Sequence, residues 1–208
     1  TISRHIKYRT VQSIPNQTTE AYRSALNDII RIYNRAGFKI QTIHADNEYQ
    51  PWLQQLAADF GIDVNYANPQ EHVPEAERNI RLIKERFRAT FHRLPFTKLP
   101  KIMVRVLAME CAKKLNFFPS KNGVSQYYSP RMIMHQENLD YKKHCSTPFG
   151  AYVQAHNEPD PSNTQHPRTL DCIYLRSLDN KQGGHELLDL RTGYTIKRRT
   201  ITQCPMAR

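Results

Sequence analysis

Two acidic residues, Asp46 and Glu77, have the context of metal-binding carboxylates. Asp46 follows the stretch Ile43-His44-Ala45, as expected for a carboxylate at the C-terminal end of a strand. Glu77 follows Pro74, which fits the first position of a helix. Mg²⁺ and Mn²⁺ prefer oxygen ligands, and phosphoryl-transfer sites use few of them. We therefore predict that the two carboxylates lie within about 8 Å of each other at one magnesium or manganese site.

The helix that carries Glu77 is strongly basic. Because an α-helix advances about 100° per residue, three cations at spacings of four, seven and eleven residues fall within about 40° of Glu77. The cations that we predict to contact phosphate are Arg78, Arg81, Lys84 and Arg88. Glu75 is the alternative metal ligand, and both acids would also be favourable at a helix N-terminus without any metal.

An apolar stripe at helical spacing predicts the buried face of the same helix. Its members are Ile80, Ile83, Phe87, Phe91 and Leu94. Glu77 is expected beside this stripe, at the rim of the buried face, whereas Glu75 is expected to point away from it.

The excess of positive charge indicates a polyanionic partner. The chain of 208 residues has 30 Lys and Arg against 19 Asp and Glu, which gives a net charge of +11. Residues 78–114 hold eleven Lys or Arg and two Glu, a net charge of +9 on two predicted helices. An excess of one sign typically marks a surface that binds nucleic acid, through salt-dependent contacts with phosphates.

The order of predicted elements indicates an α/β core followed by a small β-domain. We predict a β-hairpin at residues 1–15, helices at 18–36, 52–60, 77–93 and 99–118, and strands at 38–44 and 62–66. A short helix is predicted at 131–135, and a mobile loop at 157–167. Four or five short strands after residue 148 suggest a small β-barrel. The predicted divisions are a core at 1–120, a connector at 121–147 and a barrel at 148–208.

The cysteines and the hydropathy exclude some classes of protein. Cys111, Cys145, Cys172 and Cys204 lack the Cys-x-x-Cys spacing of zinc and redox sites, so reduced thiols are expected. No apolar run approaches transmembrane length, and no signal peptide opens the sequence.

The ordered motifs of this chain resemble the integrase region of copia-type retrotransposon polyproteins. They are Ala45-Asp46-Asn47-Glu48-Tyr49, residues 72–79, Ile83-Lys84-Glu85-Arg86, Leu94-Pro95-Phe96, Leu115-Asn116-Phe117-Phe118-Pro119, Ser129-Pro130-Arg131, Phe149-Gly150-Ala151-Tyr152-Val153 and Leu190-Arg191-Thr192-Gly193-Tyr194. The resemblance implies a ribonuclease H-like core with an Asp, Asp, Glu metal triad, in which Asp46 takes the second position and Glu77 the third.

The resemblance also implies a function. The expected reaction is DNA 3′-end processing and strand transfer, with magnesium or manganese as cofactor. Expected partners are double-stranded DNA and further copies of the chain, in the nucleus or a cytoplasmic virus-like particle, with no membrane. Asn47 and His72 are expected to contact DNA, although a structural turn or loop role is an alternative for each.

Two departures from the family pattern define the alternatives. No acid upstream of Asp46 fits the first triad position, because Glu20 and Asp28 both belong to a predicted helix. The chain is therefore expected to be a fragment that lacks the first core strand, and to be inactive by itself. Asp46 and Glu77 are also about five residues closer in sequence than the common pattern. The rivals are an inactive, nucleic-acid-binding remnant of a retroelement and a ribonuclease H.

Overall fold

A computed structural model of the chain describes residues 1–67, 73–157, 165, 167–180 and 182–206. The protein is mixed α/β, and it divides into two compact units. Unit 1 consists of Thr1–Phe87 and Cys111–Asn138, and unit 2 consists of Arg88–Glu110 and Leu139–Arg208. Among the described residues, none of the helices has the length and apolarity that a membrane span requires.

Unit 1 is built around a short parallel pair of strands. Helix α1 (Thr19–Arg35) precedes β1 (Thr42–Ala45), and α2 (Gln50–Asp59) connects β1 to β2 (Asp63–Tyr66). The two strands pair in register from Thr42↔Asp63 to Ala45↔Tyr66. Parallel strands require such a crossover connection, and the helix provides it. The carboxyl ends of both strands therefore lie at one edge of the pair.

Local signals in the sequence account for the limits of α1. The hydroxyl of Thr18 accepts a hydrogen bond from the Ala21 N–H at 3.4 Å, which caps the first turn. The helix ends before Gly37, whose φ of +80° is a conformation that glycine adopts without strain. Buried side chains of α1 pack in two clusters, one with Tyr8 and Met134 and one with Ala57 and Ile62.

The remaining helices are α3 (Pro74–Phe91), α4 (Lys101–Leu115), α5 (Pro130–His135) and α6 (Tyr141–His144). The predicted N-terminal hairpin is reduced to one antiparallel bridge, Ile2↔Arg9. The first predicted strand is also shorter than expected. It begins at Thr42 because its partner β2 begins only at Asp63, after the turn at Gly61.

Unit 2 contains a five-stranded antiparallel sheet, so the predicted number of strands is confirmed. The strands are β3 (Tyr152–His156), β4 (Thr169–Ser177), β5 (His185–Asp189), β6 (Thr195–Arg198) and β7 (Ile201–Gln203), in the order β6-β5-β4-β3-β7. The side chains of its core cluster are Val153, Ala155, Cys172, Tyr174 and Leu187. The predicted loop at residues 157–167 lies for the most part outside the described residues.

The expected closure into a barrel is wrong, because the sheet is open. Its edge strands β6 and β7 are not paired with each other within the described residues. They are nevertheless joined by residues 199 and 200 alone, and three peptide steps span at most about 11 Å. A flat sheet would hold edges four strand spacings apart, about 19 Å. The sheet must therefore curl, although it does not close.

Gly150 packs the segment before α4 against this sheet. Its N–H donates to the carbonyl of Tyr174 at 2.8 Å, and its φ is +83°. A Cβ at this position would collide with the Leu94 side chain. The positive φ and the close approach together explain why glycine occupies this position. The contact joins two parts of unit 2 that are far apart in sequence.

His185 gives unit 2 a predictable pH dependence. It is buried on β5, its Nδ1 has no hydrogen-bond partner in the described part of the chain, and burial lowers its pKa. As the pH falls, the unfolded chain binds a proton at this histidine at a higher pH than the folded chain does. The free energy of unfolding should therefore have its maximum value above about pH 6.5 and should decrease as the pH is lowered below it. Urea unfolding at pH 7.5 and pH 5.5 measures this decrease, which His185→Gln should reduce. An unchanged pH dependence in that variant would contradict the assignment.

Candidate metal and nucleic-acid site

Asp46 lies where the sequence predicts, at the carboxyl end of β1. Ala45 is buried, and the next residue is exposed and caps a single 3₁₀ turn, Asn47–Tyr49. The Oδ1 atom of Asp46 accepts a hydrogen bond from the Asn47 N–H at 2.7 Å. This bond fixes the carboxylate at the start of the turn, and exposure leaves its other oxygen accessible. Asn47 is half-buried and, through its N–H, orients the carboxylate.

An aromatic cluster follows Asp46 directly. The rings of Tyr22 and Trp52 stack with centroids 3.9 Å apart, and Tyr49 meets Trp52 edge to face at 5.5 Å. Burial raises the pKa of Tyr49, and the neighbouring charges of Glu48 and Asp46 raise it further. Tyr49 is therefore close enough to Asp46 to feel its charge. The spacing of Tyr49 and Trp52, three residues apart after a strand-end acid, is a sequence signal that could have identified this cluster.

Glu75 is engaged in an ion pair with Lys7. The ammonium group of Lys7 contacts Oε1 of Glu75, and the Lys7 side chain is only 14% exposed. A charge that is mostly removed from water requires a partner of opposite sign. Glu75 therefore has a structural role in unit 1, where it fastens α3 to the N-terminal segment.

The predicted apolar stripe of α3 is wrong at Ile80, which is 50% exposed. Asn79 is buried instead, at 6% exposure, and its amide donates to the Thr1 carbonyl at 3.4 Å. The cause is the N-terminal segment: Glu75 and Asn79, one helical turn apart, both face it. Ile83, Phe87 and Phe91 are partly buried.

Glu77 consequently lies on the outer side of α3. Residues two positions apart on a helix differ in direction by about 200°. Glu77 therefore points away from both Glu75 and Asn79. Glu75 faces the N-terminal segment through its ion pair with Lys7, and the expected position of Glu77 beside the apolar stripe stays a prediction. Glu77 is exposed, and it does interact with other groups. Its distance from Asp46 stays a prediction.

The predicted cationic residues of α3 are all exposed. They are Arg78, Arg81, Lys84 and Arg88. Since α3 is continuous from Pro74 to Phe91, the helical spacing that relates them to Glu77 is maintained. Arg81 pairs with Glu85 at 3.0 Å on the surface, an ion pair that stabilises the helix only slightly. The exposed surface of α3 thus combines two acids, Glu77 and Glu85, with several cations and the exposed Ile80.

The two histidines that flank the acids in sequence are His44 and His72. His44 is exposed on β1 opposite Asn65, and His72 lies outside the described residues. Within the described part of the chain, no three His, Cys, Asp or Glu side chains converge to hold a metal ion. None of the four cysteines, all in the described part of the chain, forms a disulfide, and burial raises the pKa of Cys172 to about 11.

Comparison with known proteins gives a structural likeness but no match in sequence. No protein-family model and no curated protein matches this chain. Among solved structures, it is similar to a chain of the simian T-cell lymphotropic virus intasome, determined in complex with PP2A regulatory subunit B56 gamma. The identity is 13% and the TM-score is 0.43, over 93% of this chain and 66% of that chain. This chain therefore spans just under two thirds of the length of the chain that it matches.

Proposed function

We propose that this chain is the integrase region of a copia-type retrotransposon polyprotein and takes part in DNA 3′-end processing and strand transfer. The observation that carries the proposal is the exposed Asp46 carboxylate at the carboxyl end of a parallel strand. The succession of α1, β1, α2 and β2 agrees with part of a ribonuclease H-like core.

Asp46 and Glu77 are the residues that would hold magnesium or manganese. Both are exposed carboxylates of unit 1, and oxygen donors suit these hard cations. Glu75 fits less well, because its carboxylate already neutralises Lys7. When bound, the ion would polarise the scissile phosphodiester and lower the pKa of an attacking hydroxyl. The backbone N–H of Asn47 donates to the Asp46 carboxylate and so orients this proposed metal ligand.

The outer face of α3 would bind the DNA backbone. Its exposed cations are suited to phosphates, and such contacts position a duplex without reading its sequence. The proposed partners are double-stranded DNA, comprising element ends and target, and further copies of this chain. The proposed sites of action are the nucleus or a cytoplasmic virus-like particle.

A second candidate function is nucleic-acid binding without catalysis. The observation in its favour is that the described residues contain no cluster of three metal-ligating side chains. Such a remnant would keep the basic face of α3 and would bind DNA equally well with or without divalent ions.

Terbium luminescence tests the proposed metal site in the chain itself. Tb³⁺ is a hard cation that occupies oxygen sites, and Trp52, the single tryptophan, stacks in the cluster beside Asp46. Excitation of Trp52 should therefore sensitise a bound Tb³⁺, and Mg²⁺ should displace it. Asp46→Asn and Glu77→Gln should each weaken Tb³⁺ binding by about tenfold or more, because each removes one charged ligand.

The matched control for this titration is Asp63→Asn. Asp63 is also exposed, but it begins β2 and so lies at the opposite end of the strand pair. Its replacement should leave the titration unchanged. Equal Tb³⁺ binding by the parent and by Asp46→Asn would refute the metal site and favour the non-catalytic candidate.

A further inference from the structure

The loop between α4 and α5 exposes large apolar side chains at high density. The residues, which we call the aromatic platform, are Phe118, Val124, Tyr127 and Tyr128. All four belong to unit 1 and lie within eleven residues of sequence, and Tyr127 is 87% exposed. Single exposed apolar residues are common on protein surfaces, but a concentration of them marks an interaction site.

Hydrogen bonds hold the backbone of this loop in place. The Gly123 N–H donates to the Ser120 carbonyl at 2.9 Å, and the Val124 N–H donates to the His5 carbonyl at 3.0 Å. The hydroxyl of Ser125 accepts from the N–H groups of both Tyr127 and Tyr128, at 3.1 and 2.9 Å. The rings are thus presented on an ordered backbone, which lowers the entropic cost of binding a partner.

The segments around the aromatic platform are rich in positive charge. The platform lies in residues 111–136, which hold four Lys or Arg and no Asp or Glu. Residues 1–18 hold three more cations, of which Lys7 is neutralised by Glu75. The two segments together with Glu75 have a net charge of +6. Asn116 joins the segments, because its side chain accepts from the Arg9 N–H and donates to the Arg9 carbonyl, each at 2.8 Å.

This combination of rings and charge selects one class of partner. A polyanion would form ion pairs with the cations, and flat unsaturated groups would stack on the exposed aromatic rings. Unpaired nucleic acid has both, since its bases stack on aromatic side chains while its phosphates contact Lys and Arg. In a duplex, the bases are stacked on one another and their faces are inaccessible.

We propose that the aromatic platform binds unpaired bases of a nucleic-acid strand by stacking, with Arg4, Lys114 and Lys121 close to its phosphates. The platform shares no residue with the proposed metal site, and its proposed role does not rest on the proposed catalytic function. It gives the chain a binding mode for single strands, next to the duplex binding proposed for α3.

Fluorescence anisotropy with the full chain tests the proposal. The probes are a labelled single-stranded oligonucleotide and a blunt duplex of the same sequence. Tyr127→Ala/Tyr128→Ala should weaken binding of the single strand about tenfold or more, because each stacked base is lost. Binding of the duplex should change less than about twofold, and Tyr127→Phe/Tyr128→Phe should keep the parental affinity, since stacking requires the ring and not the hydroxyl.

Two controls separate stacking from other effects. Tyr194→Ala removes a tyrosine that is 75% exposed in unit 2 and should leave single-strand binding unchanged. Lys121→Gln should reduce the dependence of single-strand binding on salt, whereas the tyrosine variants should not, because bases carry no charge.

Three results would overturn the proposal. The first is single-strand binding by the double alanine variant within twofold of the parent. The second is an equal loss for single strand and duplex, which would mean that the rings support the fold rather than contact bases. The third is ring-dependent binding of polyglutamate with the affinity of the single strand, which would identify an acidic protein as the partner.

Discussion

Asp46→Asn and Glu77→Gln should each abolish strand transfer by a polypeptide that also carries the strand which the family resemblance places before Thr1. We expect a loss of at least about 100-fold, since each change removes one of the charged ligands of the proposed metal ion. Binding of duplex DNA should persist or improve slightly, because a negative charge close to the phosphates is removed. A strand-transfer assay in Mg²⁺ and an anisotropy titration in EDTA measure the two effects separately.

Glu75→Gln is the matched control, because the same substitution is made two residues away on the same helix. It should retain strand transfer but destabilise unit 1 by about 1 kcal/mol, since the buried ammonium of Lys7 loses its counter-ion. The assay therefore requires a temperature at which this variant stays folded. Full activity of Glu77→Gln together with an inactive, folded Glu75→Gln would transfer the metal role to Glu75.

Leu187→Ala should destabilise unit 2 by about 2–5 kcal/mol, the cost of removing a large side chain from a packed core. Leu187 is 0% exposed on β5 and packs in the core cluster with Val153 and Tyr174. Because an ordinary domain has only about 5–15 kcal/mol of stability, the loss should be obvious in denaturant unfolding. The midpoint should fall clearly, and the variant should expose the sheet to proteolysis.

Leu190→Ala is the corresponding control. This residue is three positions further along the chain and is 51% exposed. Its replacement should change the free energy of unfolding by no more than about 0.5 kcal/mol. Similar losses in the two variants would mean that unit 2 is not stabilised mainly through its core cluster.

The elements that the sequence predicts well are those with local signals at their ends. Thr18 and Gly37 delimit α1, Pro74 begins α3, and Gly61 separates α2 from β2. These residues act through their own backbone preferences or through a neighbour within four positions. Asp46 belongs to the same group, because a short strand followed by a capping acid can be recognised without any distant contact.

The orientation of α3 could not be predicted, because it depends on contacts from far along the chain. Helical periodicity favours Ile80 as a buried residue, but the N-terminal segment brings Lys7 and the Thr1 carbonyl to the other side of the helix. Asn79 and Glu75 satisfy those polar groups, so they face inward. A polar pair of this kind is invisible to a pattern of apolar residues alone.

The aromatic platform was missed for a related reason. Counting charge along the chain points to residues 78–114, where the cations are concentrated in one stretch. The basic segments around the platform are instead about 100 residues apart and meet through Asn116 and Arg9. The strand order of the sheet is equally non-local, because β7 pairs with β3, about 50 residues earlier in the chain, and not with the neighbouring β6.

The last strand of unit 2 protects its first strand. Strand β7 covers the outer edge of β3 through the pairs Val153↔Gln203 and Ala155↔Ile201, and Thr200 and Cys204 each add one backbone hydrogen bond to this edge. A chain that stopped before Ile201 would leave the N–H and carbonyl groups of an apolar strand without partners, and such an edge recruits strands from other molecules. Termination before β7 should therefore produce aggregates rather than a shortened soluble domain, because β7 is the strand that covers this edge of β3.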